Sequence, residues 1–256
     1  MLTNAKVAGV LMMVALAGSF VTPASADVIE DFESYFAGTT HGDWMPQNGP
    51  AEWKYYGNGA DWYVHVNSYD GTGHKLWTNQ GDNSFVGMQT TKYSGIVDLS
   101  YYLRITKADD ATDSFRCKLG DNSSTPTAAS TAFTINTIAN GATNATVSIE
   151  GATTETVMTG IVLGGWYQVF AEIDTTSGMK LRAKVDAVGG AAGTWSNWVD
   201  YSGSYTGGMQ IDSLAYETAD ASASIDDVTV TVPEPTTIGL LCLGGAALIS
   251  RKRKVA

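Results

Sequence analysis

Between residues 27 and 232 the apolar pattern repeats every two residues, and no segment sustains the 3.6-residue apolar period of a long amphipathic helix. Short runs of β-branched and aromatic residues are broken by Gly, Thr, Ser, Asn and Asp. The strand candidates are Trp62 to Val66, Ser84 to Gln89, Gly95 to Ile105, Ser114 to Leu119, Ala132 to Ile138, Ala145 to Ile149, Thr156 to Ile161, Trp166 to Asp174, Lys180 to Val188, Gly208 to Tyr216 and Ser224 to Val232. This spacing exceeds an immunoglobulin module and predicts an all-β fold, a larger sandwich of two antiparallel sheets. Asp70-Gly71-Thr72-Gly73, Gly81-Asp82-Asn83 and Ser177-Gly178 supply turns. Alternation puts Phe115, Cys117 and Leu119 on one strand face, and Val169, Ala171 and Ile173 on another.

Both ends of the chain read as addresses. Met1 to Lys6 is basic, Val7 to Val21 is apolar and Ala24-Ser25-Ala26 is a small-residue cleavage site, so residues 1–26 read as a secretory signal peptide. At the other end, residues 232–256 hold Val232-Pro233-Glu234-Pro235, an apolar run from Ile238 to Ile249 and the cations Arg251 to Lys254. That run needs Thr236, Thr237 and Ser250 to approach the roughly 20 residues of a membrane-crossing helix. The cations after it stay cytoplasmic, which puts the body outside. Four adjacent cations make poor interior material and argue against a buried core helix, while a permanent anchor stays open.

The order of those three parts resembles the PEP-CTERM sorting signal of Gram-negative bacteria. The resemblance implies transient insertion in the inner membrane, cutting near Pro233-Glu234-Pro235 by an exosortase-type protease, and delivery to the cell surface or extracellular matrix.

The body between, residues 27–231, reads as one domain. Residues 27–232 carry ten Lys and Arg against twenty-five Asp and Glu, a net charge of −15 that disfavours nucleic acid as a partner. Cys242 lies in the tail, so Cys117 is left without an intramolecular partner and reads as a buried structural thiol.

Asp31-Phe32-Glu33, Gly165-Trp166-Tyr167-Gln168-Val169 and Ile225-Asp226-Asp227-Val228-Thr229-Val230 look like the opening, middle and close of a concanavalin A-like, laminin-G-like jelly roll. The resemblance implies that first and last strands pair. It also implies that Glu33 and Asp226 would be the ligands of a structural calcium; strand-edge acids are the plainer reading, and no cofactor is required.

Catalysis finds little support in the residues. Glycosidases on this fold carry a further Glu on the catalytic strand, and Glu172-Ile173-Asp174 lacks it. His41, His65 and His74 have no ligand spacing, and no nucleophile elbow or phosphate loop is present. Aromatics remain. Trp44, Trp53, Tyr55, Tyr56, Trp62, Tyr63, Tyr69 and Trp77 crowd the first third, and Trp195 and Trp198 sit in a Gly/Ser/Asn-rich stretch. Rings fill cores, but exposed ones stack on sugars, and Trp195, Trp198, Trp53 and Trp77 are the carbohydrate-binding candidates. The expectation is a non-enzymatic exported β-sandwich associated with extracellular polysaccharide. The alternatives are a purely structural or adhesive surface protein and a glycoside hydrolase of the lectin/glucanase fold.

Overall fold

The alternation along β11 (Tyr167–Asp174) and β12 (Lys180–Ala187) becomes an alternation of burial: Val169, Ala171, Ile173, Leu181, Ala183 and Val185 are buried while their neighbours are half-buried. Because successive strand side chains point to opposite faces, such a pattern fits a sheet covered on one side. The computed structural model describes residues 27–33, 54–57, 62–78, 84–93, 95–108, 112–120, 130–176, 178–205 and 211–231, and every regular element among them is a strand. The signal segment, Trp44, Trp53 and the tail from Val232 onward, including Pro233, Glu234 and Pro235, lie outside the described residues.

Two antiparallel sheets form a jelly-roll sandwich. The further strands are β1 (Asp27–Glu30), β2 (Lys54–Gly57), β3 (Trp62–Val66), β4 (His74–Thr78), β5 (Ser84–Tyr93), β6 (Ile96–Lys107), β7 (Ser114–Gly120), β8 (Thr131–Ala139), β9 (Asn144–Glu150), β10 (Thr154–Val162), β13 (Val199–Asp200), β14 (Ile211–Ala219) and β15 (Ser222–Thr231). The first sheet runs β13-β12-β11-β6-β15-β4-β3, with β1 also on β15; the second runs β10-β9-β8-β7-β14-β5-β2. As the resemblance implies, the first and last strands pair, with Asp27 opposite Val230. One flank of β15 is shared between β4, at Ala223 to Ile225, and β1, at Val228 to Val230.

The inner faces meet in one aromatic and aliphatic core. Tyr101 of the first sheet packs against Tyr216 (5.4 Å between ring centroids) and Phe115 (6.4 Å) of the second. Trp62 is fully buried, a core ring among the aromatics that crowd the first third of the chain. Cys117 is buried and free; burial pushes its thiol well above the ordinary range, as an inert structural thiol requires.

Besides β1, which the resemblance implies, three short strands among the described residues, β2, β4 and β13, lie outside the strand candidates, and β4 is the one that bears on the outer face. The stretch from His74 reads as turn and aromatic cluster in the sequence, yet it forms β4. A five-residue strand next to a Gly-rich turn carries too little local signal, and its pairing with β3 and β15 supplies the rest. At the turn before it, Gly73 has φ +65°, and a Cβ there would strike the Glu33 carboxylate. Glu33 therefore reaches the His74 amide, with N to Oε1 at 2.7 Å.

Candidate functional site

The face of the first sheet turned away from the core carries polar and aromatic side chains in cross-strand rows. Arg182 of β12 lies opposite Glu172 of β11, which lies opposite Asp98 of β6. Arg182 Nη2 donates to both Glu172 oxygens, at 3.1 and 2.9 Å. Lys180 pairs with Asp174 at 3.5 Å and Lys184 with Asp186 at 2.9 Å. Burial, and then the charge of Glu172, raise the Asp98 carboxyl above the usual range. The opposition of Asp98 and Glu172 escaped the sequence, because it depends on which strand neighbours β11.

Above this row sit Trp195 and Trp198. The sequence reads their Gly/Ser/Asn-rich stretch as a loop, but the segment runs back along the free edge of β12. Ser196 N donates to Ala183 O at 2.8 Å, Ala183 N donates to Ser196 Oγ at 3.1 Å, and Gly193 N donates to Asp186 Oδ1 at 2.7 Å. Gly193 lies so close to the Val185 carbonyl that no side chain would fit there. The segment then joins β13, where Val199 faces Leu181, and the same register sets Trp198 opposite Arg182.

Arg182 Cζ stands 5.0 Å from the Trp195 ring centroid and 4.7 Å from that of Trp198. Lys180 Nζ stands 4.8 Å from the Trp198 centroid, and Lys184 Nζ 5.9 Å from that of Trp195. A cation held over a ring face fixes that ring's tilt. The rings stay 40% and 37% exposed, so each keeps apolar surface toward solvent. The cations already have carboxylate partners, so the platform offers flat apolar rings without an unpaired cation beside them.

Of the other sugar-binding candidates, Trp77 is half-buried on the same outer face with its ring 5.6 Å from that of His65, and Trp53 lies outside the described residues. Trp77 stands apart from the Trp195 and Trp198 pair, with β11, β6 and β15 between β12 and its own strand.

Glu33 and Asp226 differ sharply in environment. Asp226 is 1% exposed, Glu33 exposed. Asp226 accepts from the Tyr69 amide at 3.2 Å and the Asp227 amide at 2.9 Å, beside a bulge where Asp227 takes φ 43°. Burial first, then the charges of Asp227 and Glu33, push its carboxyl up to about 7 against the opposite pull of those amides. The oxygen chemistry suits calcium, yet among the described residues no three His, Cys, Asp or Glu side chains group to hold a metal.

The fold and this face define a two-sheet antiparallel sandwich that displays an aromatic platform. Residues 231–254 match the PEP-CTERM protein-sorting motif, which marks an exported protein processed by an exosortase. No curated protein matches the chain. Among solved structures, the metal-free carbohydrate recognition domain of Emp46p is similar at 7% identity and TM-score 0.47, over 76% of this chain and 95% of that one. The exoplasmic/lumenal domain of VIP36, bound to Ca²⁺ and Man3GlcNAc, gives 8% and 0.47, over 75% and 88%. An alginate lyase from Pseudomonas aeruginosa gives 12% and 0.46, over 66% and 86%.

Proposed function

We propose that this protein is an exported, non-catalytic polysaccharide-binding sandwich whose Trp195 and Trp198 rings stack on sugar units. The observation that carries this reading is the pair of rings tilted by one guanidinium yet 40% and 37% exposed. Sugars present apolar C–H faces, and a flat ring with one side fixed meets such a face at low conformational cost. With Arg182 Cζ between them, the two ring centroids are separated by no more than the 5.0 and 4.7 Å contacts end to end, which suits successive units of one extended glycan.

The test is binding of the full chain to neutral β-glucans in affinity gels and calorimetry. Trp195→Ala and Trp198→Ala should each lose about 1–3 kcal/mol of affinity, by analogy with aromatic stacking on flat bases. Undiminished binding in both variants overturns the reading. A structural calcium between Glu33 and Asp226 accompanies this function; it is supported by the oxygen donors and the raised Asp226 carboxyl, and tested by a calcium-dependent rise in melting temperature that Asp226→Asn removes. Processing next to Pro233-Glu234-Pro235 releases the sandwich from the membrane to the cell surface or matrix, a step supported by the sorting motif.

A further inference from the structure

Seven Lys and Arg side chains are described, and five of them, Arg116, Lys118, Lys180, Arg182 and Lys184, have carboxylate partners. The other two, Lys75 and Arg104, make no ion pair among the described residues, in a chain whose acids greatly outnumber its bases. These two are also neighbours.

The register shows how they meet. Ser224 of β15 lies opposite Arg104 of β6 on one side and Trp77 of β4 on the other. One step along, Ile225 faces Leu76, which sets Asp226 against Lys75. Trp166 precedes Tyr167, which faces Leu103, so Trp166 flanks Arg104 from the third side. Lys75 Nζ stands 5.6 Å from the centre of the Trp166 ring. Only 7% of Lys75 is exposed, and both burial and the Arg104 charge lower its pKa. Holding two like charges together in a partly desolvated place is unfavourable unless an anion joins them.

The fixed carboxylate nearby fills that role only in part: the Asp226 charge pulls the Lys75 pKa back up, but less than burial and Arg104 lower it. Asp226 is turned to the Tyr69 and Asp227 amides and lies beyond ion-pair distance of Lys75. Arg104 donates through Nε to Gly164 O at 2.8 Å, and the two terminal nitrogens of its fork have no partner among the described residues. A second observation points the same way: Ser224 is fully buried on this face between Arg104 and Trp77, and its Oγ has no hydrogen-bond partner. Burying an unpaired hydroxyl beside two unpaired cations is costly in the free protein and is repaid by a ligand with oxygens.

We propose that Lys75, Arg104, Ser224 and Trp166 form a second sugar subsite that takes the carboxylate of a uronic acid unit in an acidic polysaccharide. The planar Arg104 fork matches a carboxylate in two parallel hydrogen bonds, Lys75 adds a point charge, Ser224 donates its hydroxyl and Trp166 bounds the ring. The subsite shares the outer face with the Trp195 and Trp198 platform but is independent of it, being centred on β6, β15 and β4.

The experiment measures affinity of the full chain for polyuronate oligomers, neutral β-glucan oligomers and sulfated glycan oligomers of equal length. Wild type should bind the polyuronate with an affinity that falls as salt rises. Lys75→Gln and Arg104→Gln should each weaken polyuronate binding about tenfold or more and leave neutral glucan binding unchanged. Trp198→Ala should give the reverse pattern, so failure of either site is visible alone. Arg104 also braces Gly164, so should its variant not fold, Lys75→Gln carries the test, since the Lys75 side chain makes no hydrogen bond among the described residues. Absence of polyuronate binding, unchanged binding in Lys75→Gln, or a preference for the sulfated glycan overturns the proposal.

Discussion

The tilt of the two exposed tryptophans depends on Arg182, and a double-mutant cycle between Arg182 and Trp198 measures that dependence. The guanidinium lies 4.7 Å from the Trp198 ring and 5.0 Å from Trp195, and holds both oxygens of Glu172. Each partly exposed cation–π contact contributes about 0.5–1 kcal/mol. The ion pair adds about 0.2–1 kcal/mol after solvent screening. Arg182→Gln should therefore destabilise by about 1–3 kcal/mol in urea denaturation. Trp198→Ala, which loses the contacts with Arg182 and Lys180, should cost about 1–2 kcal/mol. The double variant should cost less than the sum by about 0.5–1 kcal/mol, the coupling of that one contact. A coupling below about 0.3 kcal/mol lies within ordinary additivity, and would falsify the view that the guanidinium orients the ring.

Trp62→Ala, in contrast, should cost about 3–5 kcal/mol in the same assay, because that ring is fully buried between the sheets; a loss comparable with that of Trp198→Ala contradicts its core placement. The folded pKa of Asp226, near 7, lies above its ordinary value of 3.8, so the folded state binds the extra proton and stability falls as pH rises from about 4 to about 7. With chelator present, Asp226→Asn should remove up to about 4 kcal/mol of that fall, and an unchanged pH profile of melting temperature counts against the buried carboxyl. The full chain should release no reducing ends from β-glucans, agar or carrageenan, because Arg182 holds both Glu172 oxygens and Asp174 is kept below the usual range, and so ionised, by the Thr176 hydroxyl and amide; release that Glu172→Gln abolishes contradicts this. Mass spectrometry of the surface protein should find no peptide from Ile238 to Ala256, and recovery of an intact C-terminus refutes tail removal.

The strands with strong alternation were legible because burial on one face writes itself into every second residue. Trp62 to Val66 and the core positions of β11 are plain in the sequence for that reason. β4 was not, since its five residues draw their register from β15, far away in the chain. The platform was half legible: Trp195 and Trp198 stood out by type, but they are brought over the β12 cations by the return of the 191–198 segment along that strand, which composition disguises as a loop. The adjacency of Lys75 and Arg104 was beyond reach, because only the insertion of β15 between β4 and β6 makes them neighbours.

That insertion also governs how the protein bears force. The sorting motif begins at the last residue of β15, so any pull between the sandwich and its anchorage, before processing, enters along this strand. β15 is not an edge. It is clasped along one flank by β6 and along the other by β4 and β1, all antiparallel to it. Tension along β15 loads those hydrogen bonds in parallel, as shear, instead of opening them one after another from an end. A sandwich tethered before processing through this inner strand thus resists extraction with a whole ladder at once.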